Sequence, residues 1–354
     1  MKKFAAAIGL FTAAALALSG CATPPEPGAT GTGGGESFLA CMVSDQGGFD
    51  DKSFNQSGRE GLKKAEDELG VTAKDAESKN ATDFAPNLES MEAQNCDLTI
   101  TVGFLLKEAT EAQAEASPNS HFAIIDDDQI KLDNVKPLVF KTSDASFLAG
   151  YLAAAQSKTG TVATFGGMKI PSVSIFMDGF VDGVAKFNAD NGKNVKVLGW
   201  DKEKQDGSFT GDFDDQSKGQ NTTKNFIDQG ADIIMPVAGP VGNGAAAAAR
   251  QAGNVSIIWV DADGYETVPQ YQDLFLTSVM KEIGAAVFDT VKEAKDGNFS
   301  ASPYIGTLAN GGVGIAPYHD FDSQISKDVK DKIEQLKADI ISGALKVESP
   351  SDPK

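Results

Sequence analysis

Ser44-Asp45-Gln46-Gly47-Gly48-Phe49-Asp50-Asp51-Lys52-Ser53-Phe54-Asn55-Gln56 gathers two aromatic rings, an amide and several carboxylates between two patterned runs. The preceding run, Phe38 to Val43, reads as a short apolar strand. The following run, Gly58 to Leu69, reads as a helix with Leu62, Ala65 and Leu69 on one face. The segment is therefore expected as a loop at the carboxyl end of a strand, the edge at which open α/β sheets bind ligands. Residue by residue, Gly47 and Gly48 suit a turn, Asp50 or Asp51 a helix cap, and Phe54 a hydrophobic staple. As a group, a Phe beside an Asn with Asp45 at the strand tip reads as a ligand-gripping loop.

Outward from this loop the chain alternates strand and helix signals, the pattern of parallel sheets flanked by helices. Strands are expected at Leu98 to Val102, Phe122 to Ile125 and Leu138 to Phe140, with helices at Ala85 to Gln94 and Lys107 to Ala116. The small and apolar run Phe147 to Ala154 suits a tightly packed helix and opens a second set. Its strands are expected at Thr161 to Phe165, Val195 to Gly199, Ile233 to Val237 and Val255 to Val260. Its helices are expected at Val173 to Phe187, Gly219 to Gln229 and Gly244 to Gln251. Two similar halves imply two lobes with a cleft between them, a common place for a ligand. The final third, from Leu276, resumes helix, strand and helix and is expected to cross between the lobes.

The amino terminus has the layout of a secretory signal: Lys2 and Lys3, an apolar run from Phe4 to Leu18, then small residues. Leu18-Ser19-Gly20-Cys21 matches a lipobox, which makes Cys21 the expected lipidated residue; the plainer alternative is a Cys near an ordinary cleavage site. Ala22 to Glu36 is rich in Pro, Gly and Thr and reads as a flexible tether. An extracytoplasmic, lipid-anchored protein follows. The formal charge of −19 argues against nucleic acid and anionic head groups as partners, since both need a basic patch. With two His and three Cys in the chain, no metal site or cofactor is expected. Cys41 and Cys96 remain as a candidate disulfide for an oxidising compartment, the alternative being two buried thiols.

Polar residues recur at strand ends. Asp126-Asp127-Asp128 and Asp261-Ala262-Asp263 follow two strands, Gly166-Gly167-Met168 follows a third, and Gly239 to Gly244 leads into an Ala-rich helix whose first amides could donate to a ligand oxygen. That glycine run lacks the Lys of a phosphate-binding loop and the spacing of a dinucleotide fingerprint. Abundant acids with few cations point to a neutral, hydroxyl-rich ligand. Lys281, read as lying on a helix, is either solvated or shares a diol with a carboxylate. Gly207 to Asp215 offers further rings, Phe209 and Phe213, that could stack on a planar ligand.

In order along the chain, Gly47 to Gln56, Thr101-Val102-Gly103-Phe104, Phe147-Leu148-Ala149-Gly150-Tyr151, Gly166-Gly167-Met168, Gly230-Ala231-Asp232 and Thr277 to Lys281 resemble one family. This is the basic membrane protein family of substrate-binding lipoproteins that serve ABC transporters, whose best understood members bind purine nucleosides. The resemblance implies a type I periplasmic-binding-protein fold: two doubly wound parallel-sheet α/β lobes with a hinge. It implies a signal over residues 1–20, a lipidated Cys21 with its tether over 21–36, and an N-terminal lobe over 37–142 completed by about 278–305. The C-terminal lobe would span 143–277 and be completed by about 306–354. Carried over, Phe54 stacks on the base and Asp45, Asn55 and Asp126 bond its edge. Asp261 and Lys281 hold the ribose, Gly239 borders the sugar, and Phe213 or Phe209 forms the second wall. Trp259 stands where a Gly is common, which implies a narrower sugar pocket; Asp144-Ala145 replaces an acidic residue and a Gly. The partners implied are a purine nucleoside, a membrane permease and, through the lipid, the membrane. A ligand-sensing subunit and a receptor for another hydroxylated solute such as a sugar are the alternatives. A nucleoside hydrolase is disfavoured because no nucleophile arrangement stands out.

Overall fold

The computed structural model describes residues 38–354. The expected signal, the lipidation at Cys21 and the tether lie outside the described residues. The described residues form one compact unit.

The chain begins with β1 (Leu39–Ser44), α1 (Phe54–Leu69), β2 (Thr72–Ala76), α2 (Phe84–Glu92), β3 (Leu98–Val102), α3 (Lys107–Ala116), β4 (His121–Ile125) and β5 (Val135–Phe140). Then come α4 (Thr142–Gln156), β6 (Thr161–Gly166), α5 (Pro171–Asn191), β7 (Lys196–Leu198) and a small hairpin of β8 (Trp200–Asp201) and β9 (Asp206–Gly207). They are followed by α6 (Gln216–Asp228), β10 (Ile233–Val237), α7 (Val241–Ala252), β11 (Ser256–Asp261), α8 (Gly264–Thr267) and β12 (Phe275–Lys281). The chain closes with α9 (Ile283–Lys295), β13 (Tyr304–Gly306), β14 (Val313–Ile315) and α10 (Lys327–Ser342).

Two six-stranded sheets result, in the orders β13-β5-β4-β3-β1-β2 and β14-β12-β11-β10-β6-β7. The first is parallel throughout, and the second is parallel except for β14. The chain passes between sheets after β5, after β12 and after β13, so each lobe is closed by chain from the far end of the sequence. β12 stays in the second sheet through Lys281, and the return to the first follows that residue. Slot for slot, β4 in the first sheet corresponds to β11 in the second, and β5 to β12.

Local sequence accounts for these elements. β1, β3 and β4 are almost wholly buried, as expected of strands covered on both faces. β2, Thr72-Ala73-Lys74-Asp75-Ala76, is largely exposed at the sheet edge and has no apolar run to announce it. α1 ends where Gly70 turns left-handed (φ 67°) and its N–H reaches Glu66 O. α4 is buried from Thr142 to Ala154 and packs on α5. A Cβ at Gly150 or Gly183 would collide with the carbonyl of Phe180 or Phe147, so glycine is what lets these two helices touch.

Cys41 in β1 and Cys96, just before the neighbouring β3, are joined by a disulfide with Cα atoms 5.9 Å apart. It closes a separation of 55 residues that holds the binding loop, α1, β2 and α2. Replacing both cysteines by Ala is expected to lower stability by about 2–5 kcal/mol. An unchanged urea midpoint in the double variant would show that the crosslink contributes nothing.

Candidate functional site

The loop after β1 is organised by one carboxylate. Asp51 is buried and accepts backbone N–H bonds from Ser53 (3.0 Å), Asn55 (2.7 Å) and Gln56 (3.0 Å). It thereby satisfies donors that the first turn of a helix leaves free. This cap starts α1 at Phe54 rather than at the expected Gly58, so Phe54 and Asn55 stand on a rigid helix terminus instead of a loop. Asn55 is held further by its side-chain amide, which donates to Asp45 Oδ1 at 2.9 Å and to Asp51 Oδ2 at 3.3 Å. Its own Oδ1 is buried without a hydrogen-bond partner.

Asp45 follows β1 directly and is 7% exposed. Burial pushes its carboxyl well above the ordinary range; the Asn55 amide opposes this, and Asp51, Asp126 and Asp214 add repulsion. Burial thus favours the protonated form, the form that can donate to a ligand. Gly103, at the end of β3 with φ 119°, leaves the space that Asp45 fills, since a Cβ there would collide with the carboxyl.

The third slot of each sheet ends in an acid with left-handed backbone: Asp126 (φ 66°) after β4 and Asp261 (φ 67°) at the end of β11. Both face Lys281, whose ammonium lies 2.6 Å from Asp126 Oδ2 and 3.3 Å from Asp261 Oδ1. Lys281 ends a strand, β12, and not a helix, and only 2% of its side chain is exposed. Burial alone would lower its pKa, but the two carboxylates outweigh burial and raise it. The ring centroids of Phe54, Phe176 and Phe140 lie 4.8, 5.2 and 5.7 Å from the ammonium and add cation–π attraction.

The second lobe supplies the facing wall. Gly166 and Gly167 serve two rings: a Cβ on the first would strike Phe209, and one on the second would strike Phe213. Phe209 then packs edge-on against Trp200, centroids 5.9 Å apart, while Phe213 lines the cleft. Trp259 does not narrow the cleft as its position suggested. It is 1% exposed, packs against Phe275, Gly242 and Gly264, and is absent from the lining, because those two glycines open a slot for the indole behind β11. The first amides of α7 are also engaged: Val241 N reaches Phe213 O and Ala238 O, and Gly242 N reaches Gly239 O. They are not free for a ligand oxygen. Asp127 accepts from Gln129 N and Ile130 N, and Asp263 from Tyr265 N, so these neighbours of the cleft acids close turns.

Asp45, Phe54, Asn55, Asp126, Phe213, Gly239, Asp261 and Lys281 all line one cleft. Phe176, Ile170 and Val173 line it as well. They belong to α5 and its approach, where an apolar helix reads as core; the signal available was that α5 starts just beyond the carboxyl end of β6.

A family model described as "ABC transporter substrate-binding protein PnrA-like" (Bmp) matches residues 38–350. The chain belongs to the Bmp family. Members are substrate-binding components of ABC transporters rather than enzymes. The chain is 33% identical to the CD4+ T-cell-stimulating antigen of Listeria innocua, over 98% of this chain and 99% of that one. It is 31% identical to the ABC transporter nucleoside-binding protein BmpA of Lactococcus lactis, over 99% and 100%. Among solved structures, an ABC transporter solute-binding protein of Aeropyrum pernix superposes with a TM-score of 0.80 at 26% identity, over 89% of this chain and 94% of that one. The Bmp chain thus has the type I periplasmic-binding-protein fold, two α/β lobes with a hinge.

Asp51 links the site to pH. Burial raises its pKa to about 6, against the opposing hydrogen bonds from Gln56, Asn55 and Ser53. The folded state therefore holds this proton more tightly than the unfolded chain, whose value is near 3.8. The stability this contributes is fully present below about pH 4 and is lost as pH rises through about 6. Urea unfolding at pH 4 and pH 7.5 should show the native chain losing on the order of 3 kcal/mol relative to Asp51→Asn across that interval. Parallel pH profiles would show that Asp51 ionises normally.

Proposed function

We propose that this Bmp protein captures a purine nucleoside in the interlobe cleft and delivers it to a membrane permease, held at the outer face of the membrane by a lipid on Cys21. The observation that carries this reading is the meeting, in one cleft, of two partly exposed phenyl rings from opposite lobes with a buried acid–lysine–acid cluster. Phe54 and Phe213 suit a flat base, since aromatic faces stack on any base. Asp45, whose burial favours the protonated form, and the unpartnered Oδ1 of Asn55 suit the edge of that base as donor and acceptor. Asp261 and Lys281 suit ribose hydroxyls, one accepting and the other donating. The one cation of the lining, Lys281, is already engaged by Asp126 and Asp261, which disfavours a phosphate. The nucleoside-binding relative from Lactococcus lactis supports the same class of ligand.

Titration calorimetry of the body from Ser37 onward, with inosine, guanosine, adenosine, pyrimidine nucleosides, free bases, inosine monophosphate and simple sugars, tests this reading. One-to-one binding of a purine nucleoside with little heat from its monophosphate is the expected result. Heat from a sugar alone would discard the nucleoside. Phe54→Ala and Phe213→Ala should each weaken binding by about 1–3 kcal/mol, whereas Phe209→Ala should act on stability. Equal affinity in Phe213→Ala would remove that ring from the site. In cells, Cys21→Ser should release the protein from the membrane fraction, and retention there would refute the lipid anchor.

A further inference from the structure

Two side chains outside the cleft lining tie the lobes together. Ser53 Oγ, on the first lobe, lies 2.9 Å from Val260 O and 3.1 Å from Asp261 Oδ2 on the second. Trp259 Nε1, on the second lobe, donates to Lys52 O on the first at 3.3 Å. Both donors are buried, and neither they nor Lys52 line the cleft. Lys52 has φ 61°, a conformation that a residue with a side chain rarely adopts, and its carbonyl is the one the indole engages. Each tie is nonetheless next to a cleft wall in the chain: Ser53 precedes Phe54, and Trp259 stands two residues before Asp261.

We propose that Ser53 and Trp259 form an interlobe latch, and that Ser53 is a positioning residue that sets Asp261 for the ligand only when the cleft is shut. The Ser53 hydroxyl has one proton, and both of its acceptors lie on the opposite lobe, so separating the lobes leaves it with neither. The same motion withdraws Lys52 O from the indole. In the shut form Ser53 holds Asp261 Oδ2, and the other oxygen, Oδ1, is buried beside Lys281 with no hydrogen bond of its own. That oxygen is the one left for a ligand hydroxyl. The Lys281–Asp126 pair also joins the lobes but lines the cleft, whereas both latch donors, Ser53 and Trp259, and the acceptors Val260 O and Lys52 O lie outside the lining. Its contribution to closure is therefore present before any ligand arrives. A receptor that already populates its shut form binds with less loss to rearrangement and releases slowly.

The latch is independent of what the ligand is, and its test keeps the two questions apart. Spin labels at Glu68→Cys on α1 and Lys224→Cys on α6, both exposed, report the separation of the lobes in the ligand-free body from Ser37 onward. The native latch should give a substantial short-distance population without ligand. Ser53→Ala, and independently Trp259→Phe, which keeps a ring and removes the N–H, should each shift it toward longer distances. Inosine release by stopped flow should quicken about fivefold to tenfold in Ser53→Ala, with the association rate little changed. A residue serving only stability would lower the unfolding midpoint and leave the distances alone. Native-like distance distributions in both variants would overturn the latch, whether or not inosine binds. Inosine silence beside shifted distances would instead remove the nucleoside and keep the latch.

Discussion

The Lys281 ammonium, fixed between Asp126 of one lobe and Asp261 of the other, is the interaction on which the rest of the site depends. A buried ammonium is costly unless paired, and two buried carboxylates facing each other are costlier still. Lys281 is therefore what makes the two acids tolerable together. Because the groups come from both sheets, Asp126 reaches the ammonium only where the lobes meet. The three surrounding phenyl rings exclude water from the cluster and strengthen the attraction.

Rigid supports hold the groups around this cluster. Left-handed backbone at Asp126 and Asp261 turns each carboxylate off the end of its strand, and such strain concentrates at functional sites. Asp51 performs the corresponding task for α1, fastening the turn that carries Phe54 and Asn55. Gly103 and Gly167 each remove a Cβ where a cleft side chain lies, and Gly166 does so for Phe209 behind it. Asp45, Phe209 and Phe213 consequently sit where they do because of their neighbours' missing atoms as much as through their own contacts.

Much of this was legible in the sequence. Alternating strand and helix signals reveal a parallel α/β architecture, and in such sheets the strand ends point to one edge, so the polar residues after β1, β4 and β11 were bound to converge. What escaped the sequence did so for physical reasons. β2 has an exposed edge pattern rather than an apolar run. The start of α1 at Phe54 depends on a carboxylate three residues upstream. Lys281 follows a strand whose short apolar stretch also fits a helix. The direction of Trp259 is decided by glycines at 242 and 264, far from it in periodicity, and Phe176 is indistinguishable from core on its own helix. Choosing Phe213 over Phe209 required knowing which ring meets Trp200.

The correspondence of β4 and β11 gives the cleft the character of a caliper. Each jaw carries its acid on a strand end too stiff to bend, in the same slot and with the same backbone turn. Rotation at the hinge then alters chiefly one quantity, the gap between the jaws, while the groups on each jaw keep their relative positions. A guest that is too thick leaves Lys281 short of one acid, and one that is too thin leaves the rings without a partner. The width of the gap and the pairing of these three charges are thus set by one and the same motion.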